Sequence, residues 1–123
     1  MAEFRAAVRQ RAGAAVVDLH GQIDRAADGP IAAAYTEAAG LGPGAIVLNF
    51  EEVDYINSTG IALIVGLLAR ARAEHRAIGA CGLSDHYREI FEITRLSDFM
   101  GIYADEDSAA GAPAAAGNTG RQP

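Results

Sequence analysis

Tryptophan and lysine are both absent from the 123 residues, and cysteine occurs once. The single Cys81 excludes an internal disulfide and fits a reducing compartment, so a cytoplasmic location is expected. With no lysine, the ten cationic side chains are all arginine, set against sixteen Asp and Glu for a net charge of -6. The arginines are dispersed and form no basic stripe, which argues against a nucleic-acid binder. Long hydrophobic runs are missing too. The longest, Ile61 to Ala69, is broken by Gly66 and falls short of the ~20 apolar residues a membrane-spanning helix needs, so no direct membrane insertion is expected. Glu3, Arg5, Arg9 and Arg11 interrupt the N-terminal stretch, which therefore does not read as a secretory signal.

What is present is globular. Half of the residues are hydrophobic and 21% are charged, a balance that supports one core at this length. Phe4 to Arg9 half-alternates, as an edge strand does. Ala14 to His20 is a stronger strand, and Gly13 between the two suits a tight hairpin. Asp28-Gly29-Pro30 predicts a helix start, with the helix running to Ala39 before the glycines around Pro43. Ala45 to Phe50 is almost wholly apolar and predicts a strand buried on both faces, followed by a turn through Glu51 to Tyr55. A helix is expected from about Ser58 to His75, then a second buried strand from Ala77 to Gly82. Ser84 caps a further helix bearing Tyr87, Ile90, Phe91 and Thr94 at i, i+3, i+4, i+7. A short strand at Met100 to Tyr103 and a short helix at Asp105 to Ala110 close the pattern. The expectation is an α/β fold, a small mixed sheet of about four to five strands flanked by helices, over residues 1–110. Residues 111–123 are Ala, Gly, Pro and polar residues, expected to be a disordered tail.

The informative segment is Tyr55-Ile56-Asn57-Ser58-Thr59-Gly60-Ile61. With Asn57 as the N-cap, Ile56 and Ile61 take the two positions of a hydrophobic staple. Ser58 is then the first helical residue, its hydroxyl not needed for capping. Gly60 allows another backbone to come close. Two readings stand side by side. Asn-Ser-Thr ahead of an apolar helix is what an ordinary helix start looks like. It is also a place where a phosphate on Ser58 would meet the positive end of the helix dipole. Such a group would add about -1.5 to -2 of charge beside Glu51, Glu52 and Asp54. The helix that follows carries Ile61, Leu63, Ile64, Val65, Leu67 and Leu68 around most of its circumference, so it is either fully internal or partly a contact surface.

These residues, taken in order, resemble the bacterial anti-sigma-factor antagonist type of STAS domain, from about Ala14 to Ala109. Gly21-Gln22-Ile23-Asp24 is similar to that family's Gly-x-Leu-Asp. Ile46 to Phe50, followed by Val53 to Ile61, resembles its strand, turn and Asp-Ser-Ser/Thr-Gly helix start. Leu83-Ser84 through Leu96 resembles its last long helix. The resemblance implies a STAS-type fold and a partner-switching function. In that scheme the unphosphorylated antagonist binds an anti-sigma factor that is also a GHKL-type serine kinase, and a PP2C-type phosphatase reverses the phosphorylation. By position the modified serine is Ser58, and the implied partner-binding residues are Asp24, Asp54, Asn57, Ser58, Thr59, Gly60 and Ile61. The family usually has Asp where this chain has Asn57, which still caps a helix but carries no charge. A non-phosphorylated adaptor subunit of a transporter or signalling assembly is the alternative. A monomer or weak homodimer is expected, with no cofactor.

Other constellations are sparse. His20, His75 and His86 lack metal-ligand spacing, and Cys81 reads as a small core residue. Asp18 and Asp24 sit near the ends of one strand and are close enough in sequence to pair. There is no Walker loop, no Gly-x-Gly-x-x-Gly and no Gly-x-Ser-x-Gly elbow, so the chain is expected to act by binding and not as an enzyme.

Overall fold

The computed structural model describes residues 3–110. The strands are β1 (Arg5–Arg11), β2 (Ala14–Ile23), β3 (Ile46–Ile56), β4 (Ile78–Cys81) and β5 (Gly101–Tyr103). The helices are α1 (Asp28–Ala39), α2 (Ser58–Ala73), α3 (Asp85–Ile93) and α4 (Glu106–Ala110). The sheet runs β1-β2-β3-β4-β5, with β1 antiparallel to β2 and every later pair parallel. β1 and β2 meet at Ala12 (φ 51°) and Gly13 (φ 85°), both left-handed, as a two-residue hairpin in a right-twisted sheet requires. The tail expected at 111–123 lies outside the described residues.

Strand β3 is central, and Ile46, Val47, Leu48 and Phe50 are all buried, as the apolar run predicted. One face of the sheet, through Val17, Leu19, Ile46, Leu48 and Phe50, packs against α1, α2 and α3. Tyr35, Ile64, Leu67 and Phe91 fill that layer, with Phe50 and Phe91 edge to face at 5.8 Å. The opposite face carries a smaller cluster of Ala14, Val16, Val47 and Cys81, closed by Ala109 of α4. Three carboxylate–arginine contacts hold α4 there, and a fourth fixes Arg9 to β2. Arg9 Nε donates to Asp18 at 2.6 Å, Arg11 Nη1 donates to Glu106 at 2.8 Å, and Arg9–Glu106 and Arg11–Asp107 complete the set.

Three expectations are corrected. Glu51 to Tyr55 is not a turn, because β3 continues to Ile56. Pairing with β2 carries on through His20↔Glu52, Gly21↔Val53, Gln22↔Tyr55 and Ile23↔Ile56, with two register shifts absorbing the extra residues. The polar side chains tolerate a strand there because Glu51, Glu52 and Asp54 face solvent. Asp18 and Asp24 do not pair. Asp18 accepts from Arg9 and from Asn49 Nδ2 (2.8 Å), while Asp24 caps a 3-10 turn at Arg25–Ala27. Thr94, read as part of the buried stripe of α3, is exposed, and its hydroxyl donates to the carbonyl of Ile90 at 2.7 Å.

Candidate functional site

The site forms where β2 and β3 end and α2 begins. Asn57 is extended (φ -92°, ψ -177°), and its Oδ1 accepts a hydrogen bond from Gly60 N at 2.8 Å, so it is the N-cap. Its own N–H donates to the carbonyl of Ile23 at 3.2 Å, and its carbonyl accepts from Ile61 N at 2.9 Å. Ile56 is buried before the cap and Ile61 half-buried after it, completing the staple. The cap is thus bonded both to its own helix and to the neighbouring strand.

Gly60 makes that junction fit. A Cβ at this position would overlap the carbonyl of Ile23, so the strand end lies directly on the first turn of α2. The next residue along from that contact is Asp24. It is fixed by Ala26 N donating to its Oδ1 at 3.0 Å and Ala27 N donating to its carbonyl at 2.9 Å. Asp24, Asn57 and Gly60 are therefore brought together by three backbone hydrogen bonds and one missing side chain. Ser58 and Thr59 occupy the first turn between them, exposed, and neither hydroxyl has a hydrogen-bond partner among the described residues. Asp54 is exposed on β3, before the cap. Asp24, Glu51, Glu52 and Asp54 enter no salt bridge among the described residues, and this end of the sheet is acidic.

Helix α2 resolves the choice between an internal helix and a contact surface. Ile64, Leu67, Leu68 and Ala71 face the core. Ala62, Val65, Gly66 and Ala69 form the opposite stripe and are exposed, Val65 at 45%. The outer face is smooth, apolar and continuous with Ser58.

A family model described as "Mlab, STAS domain" matches residues 6–102. The chain belongs to the STAS domain family. Among curated proteins, this STAS domain is 39% identical over 57 residues to the anti-sigma-B factor antagonist of Staphylococcus aureus (strain NCTC 8325 / PS 47), covering 46% of this chain and 53% of that protein. It is 38% identical over 55 residues to the anti-sigma-B factor antagonist of Listeria monocytogenes, covering 45% and 48%. The chain thus spans about half the length of the curated relatives it matches. Among solved structures, an anti-sigma factor antagonist from Mycobacterium paratuberculosis superposes with a TM-score of 0.75 at 20% identity, covering 87% of this chain and 91% of that one. The Bacillus protein SpoIIAA in its phosphorylated form gives 0.63 at 23% identity, with 87% and 96% covered. At these identities the superpositions establish the fold. The mixed five-stranded sheet with its flanking helices is the STAS fold.

Two contributors to this end of the molecule escaped the sequence reading. Tyr87 in α3 reaches back to β3, where its hydroxyl accepts from Ile56 N at 2.9 Å and lies 3.4 Å from the Ile56 carbonyl. In the sequence it reads only as an apolar helix position. Tyr55, placed in a turn by the sequence, is a strand residue with 51% of its surface exposed. The sequence signal for Tyr55 was its place in the acidic run, which marks a solvent-facing strand end once pairing with β2 is known.

Proposed function

We propose that this STAS domain is an anti-sigma factor antagonist that works by partner switching. In its unmodified form it docks an anti-sigma factor that is also a GHKL-type serine kinase, using Asp24, Asp54, Asn57, Ser58, Thr59, Gly60 and Ile61. Phosphorylation of Ser58 breaks that contact, and a PP2C-type phosphatase restores it. The observation that carries this reading is the Asn57 cap. It caps Gly60 N without help from Ser58, leaving the Ser58 hydroxyl exposed, and with no partner among the described residues, at the positive end of a sixteen-residue helix. A phosphate there is tolerated by the helix and adds charge to a surface already holding four carboxylates that enter no salt bridge among the described residues. A docked partner then loses its fit against the neutral Ser58 turn. The similarity to curated anti-sigma-B factor antagonists supports the same reading.

A second reading is favoured by one residue. Asn57 has no charge where the family usually has Asp, which suits a STAS adaptor that binds constitutively within a transporter or signalling assembly. Incubation with the cognate anti-sigma factor and ATP, followed by intact-mass measurement and calorimetric titration, tests both. The switch predicts one added phosphate, lost in Ser58→Ala, with binding weakened in Ser58→Glu. Equal affinities for wild type, Ser58→Ala and Ser58→Glu, with no phosphate gained, would leave Ser58 as part of a helix cap.

A further inference from the structure

Strand β3 is paired on only one side beyond its middle. Its register with β4 runs from Ile46↔Ile78 to Asn49↔Cys81 and stops, whereas β2 follows β3 to Ile56. After β4 the chain turns away from β3 at Gly82, whose φ of +76° is left-handed. A Cβ there would collide with Glu51. Glu51 N already donates to Asn49 Oδ1 at 3.1 Å, so among the described residues the edge that faces β4 is without a neighbouring strand from Glu52 to Tyr55. The open stretch ends at Ile56, where the Tyr87 hydroxyl takes up the backbone N–H. Between this edge and the start of α3 lies a cavity of about 110 Å³, lined by Phe50, Val53, Ile56, Leu83 and Tyr87 with Glu51 and Ser84 at its rim. That volume is far below the roughly 300–1,000 Å³ of a small-molecule site. It suits one branched aliphatic side chain.

The geometry points to a groove that takes an extended basic segment of the partner protein as an added strand along β3, with one aliphatic side chain seated in the cavity. Backbone hydrogen bonds to an open edge supply affinity and the pocket supplies selectivity. Charge identifies the segment. Glu51 lines the cavity, Glu52 and Asp54 are exposed on the same stretch of β3, none of the three has a salt-bridge partner among the described residues, and Arg88 of α3 is paired within its own helix to Asp85 at 3.4 Å. Residues 111–123 do not fit as the occupant, because they contain no Val, Leu, Ile, Met or Phe. Strand β1 of a second copy is basic, but its Val8 packs on its own core and its Arg9 and Arg11 are engaged with Asp18, Glu106 and Asp107. Ile56 both lines the cavity and precedes the Asn57 cap, so the groove and the Ser58 turn are continuous. This inference rests on the reading that a partner docks at the Ser58 end.

The test uses the full chain and the capped peptide Arg-Thr-Arg-Leu-Arg-Thr-Arg as probe, followed by amide NMR shifts. Saturable shifts at Glu52 to Tyr55, Gly82 and Leu83 are expected. Binding should weaken at least tenfold when the peptide's leucine is replaced by glycine, and similarly when its backbone is N-methylated on alternate residues. Filling the cavity with Val53→Phe should have the same effect. The modified peptides keep the test sharp should that variant not fold. Equal binding by the three peptides would mean a contact through charge alone and overturn the inference, as would shifts confined to β1 or β5, or no binding. Concentration-dependent shifts at the same residues without peptide would assign the groove to a second copy and also overturn it. Ser58→Glu is not expected to alter this peptide titration by more than about twofold. Failure of the switch reading in the kinase assay is thereby distinguishable from failure here.

Discussion

The carbonyl of Ile23 occupies the space where a side chain at position 60 would stand, and Asn57 N–H donates to that same carbonyl at 3.2 Å. One oxygen thereby fixes the distance between the end of β2 and the start of α2. Gly60→Ala is expected to push the two apart. The cost should be about 1–3 kcal/mol of stability, the range for overpacking a tight contact. Urea unfolding followed by circular dichroism measures it, and an unchanged midpoint would show that the junction relaxes freely.

Asn57 and Ser58 should separate cleanly in stability measurements. Asn57→Ala removes the acceptor for Gly60 N and should cost about 1 kcal/mol, while Asn57→Asp should keep the cap. Ser58→Ala and Ser58→Glu should each lie within about 0.5 kcal/mol of wild type, as for exposed sites away from special features. A thermal-melt series resolves these differences, and a large loss in Ser58→Ala would mean that its hydroxyl has a structural role.

Acid should loosen the α4 seat first. Hydrogen bonds from Arg9 and then Arg11 hold the Glu106 carboxyl down to about 2, from an ordinary 4.5. Arg9, with help from Asn49 and against the opposing push of burial, also lowers Asp18. Because the folded values are depressed, this contribution is full above pH 4.5 and is lost as pH falls from there toward 2. Denaturant midpoints across that window should fall, and Glu106→Gln should flatten the slope. An equally steep slope in the variant would place the acid-sensitive group elsewhere.

Arg76 ties the end of α1 to the start of β3. Its Nη1 donates to the carbonyls of Gly42 (2.8 Å) and Gly44 (2.7 Å), and its Nη2 donates to Ala39 at 3.3 Å. Arg76→Met strips three carbonyls of their donors and should cost about 2–3 kcal/mol. Arg76→Lys should recover less than half, since an ammonium lacks the planar fork. Chemical denaturation of the two variants decides this.

Cys81 should be silent in the folded protein. It is fully buried, and burial pushes its thiol up to about 11. Reaction with a disulfide reagent should therefore follow unfolding, at least a hundredfold slower in the native state than in urea. Comparable rates would show that the second face of the sheet opens readily.

The elements most visible in the sequence were those governed by local chemistry. Asn57 and Ser84 cap the helices they were expected to cap, Gly13 forms the hairpin turn, and the apolar run at Ile46 is the central strand. What the sequence concealed depends on pairing at a distance. Glu51 to Tyr55 reads as a turn because its side chains are polar, yet β2 holds it extended from the other side. Tyr87 reads as a core residue because nothing local reveals that its hydroxyl will meet the Ile56 backbone, 31 positions away. Of the candidate site, the cap register was legible in the sequence. The placement of Asp24 beside it came only from the family resemblance, since no local chemistry shows Gly60 admitting the end of another strand.

The contacts that seat α4 also have a temporal meaning. Arg9 and Glu106 are separated by 97 positions. At a synthesis rate of roughly 5–20 residues per second, about 5–20 seconds pass between the emergence of one and the other. From the time each is made until α4 follows, Val16, Val47 and Cys81 belong to a nascent sheet with no lid, while the face bearing α1 and α2 gains its covering segments earlier. The two sides of one sheet therefore mature on different clocks. The acidic helix α4 acts as the latch, and the arginines that receive it are made well before it.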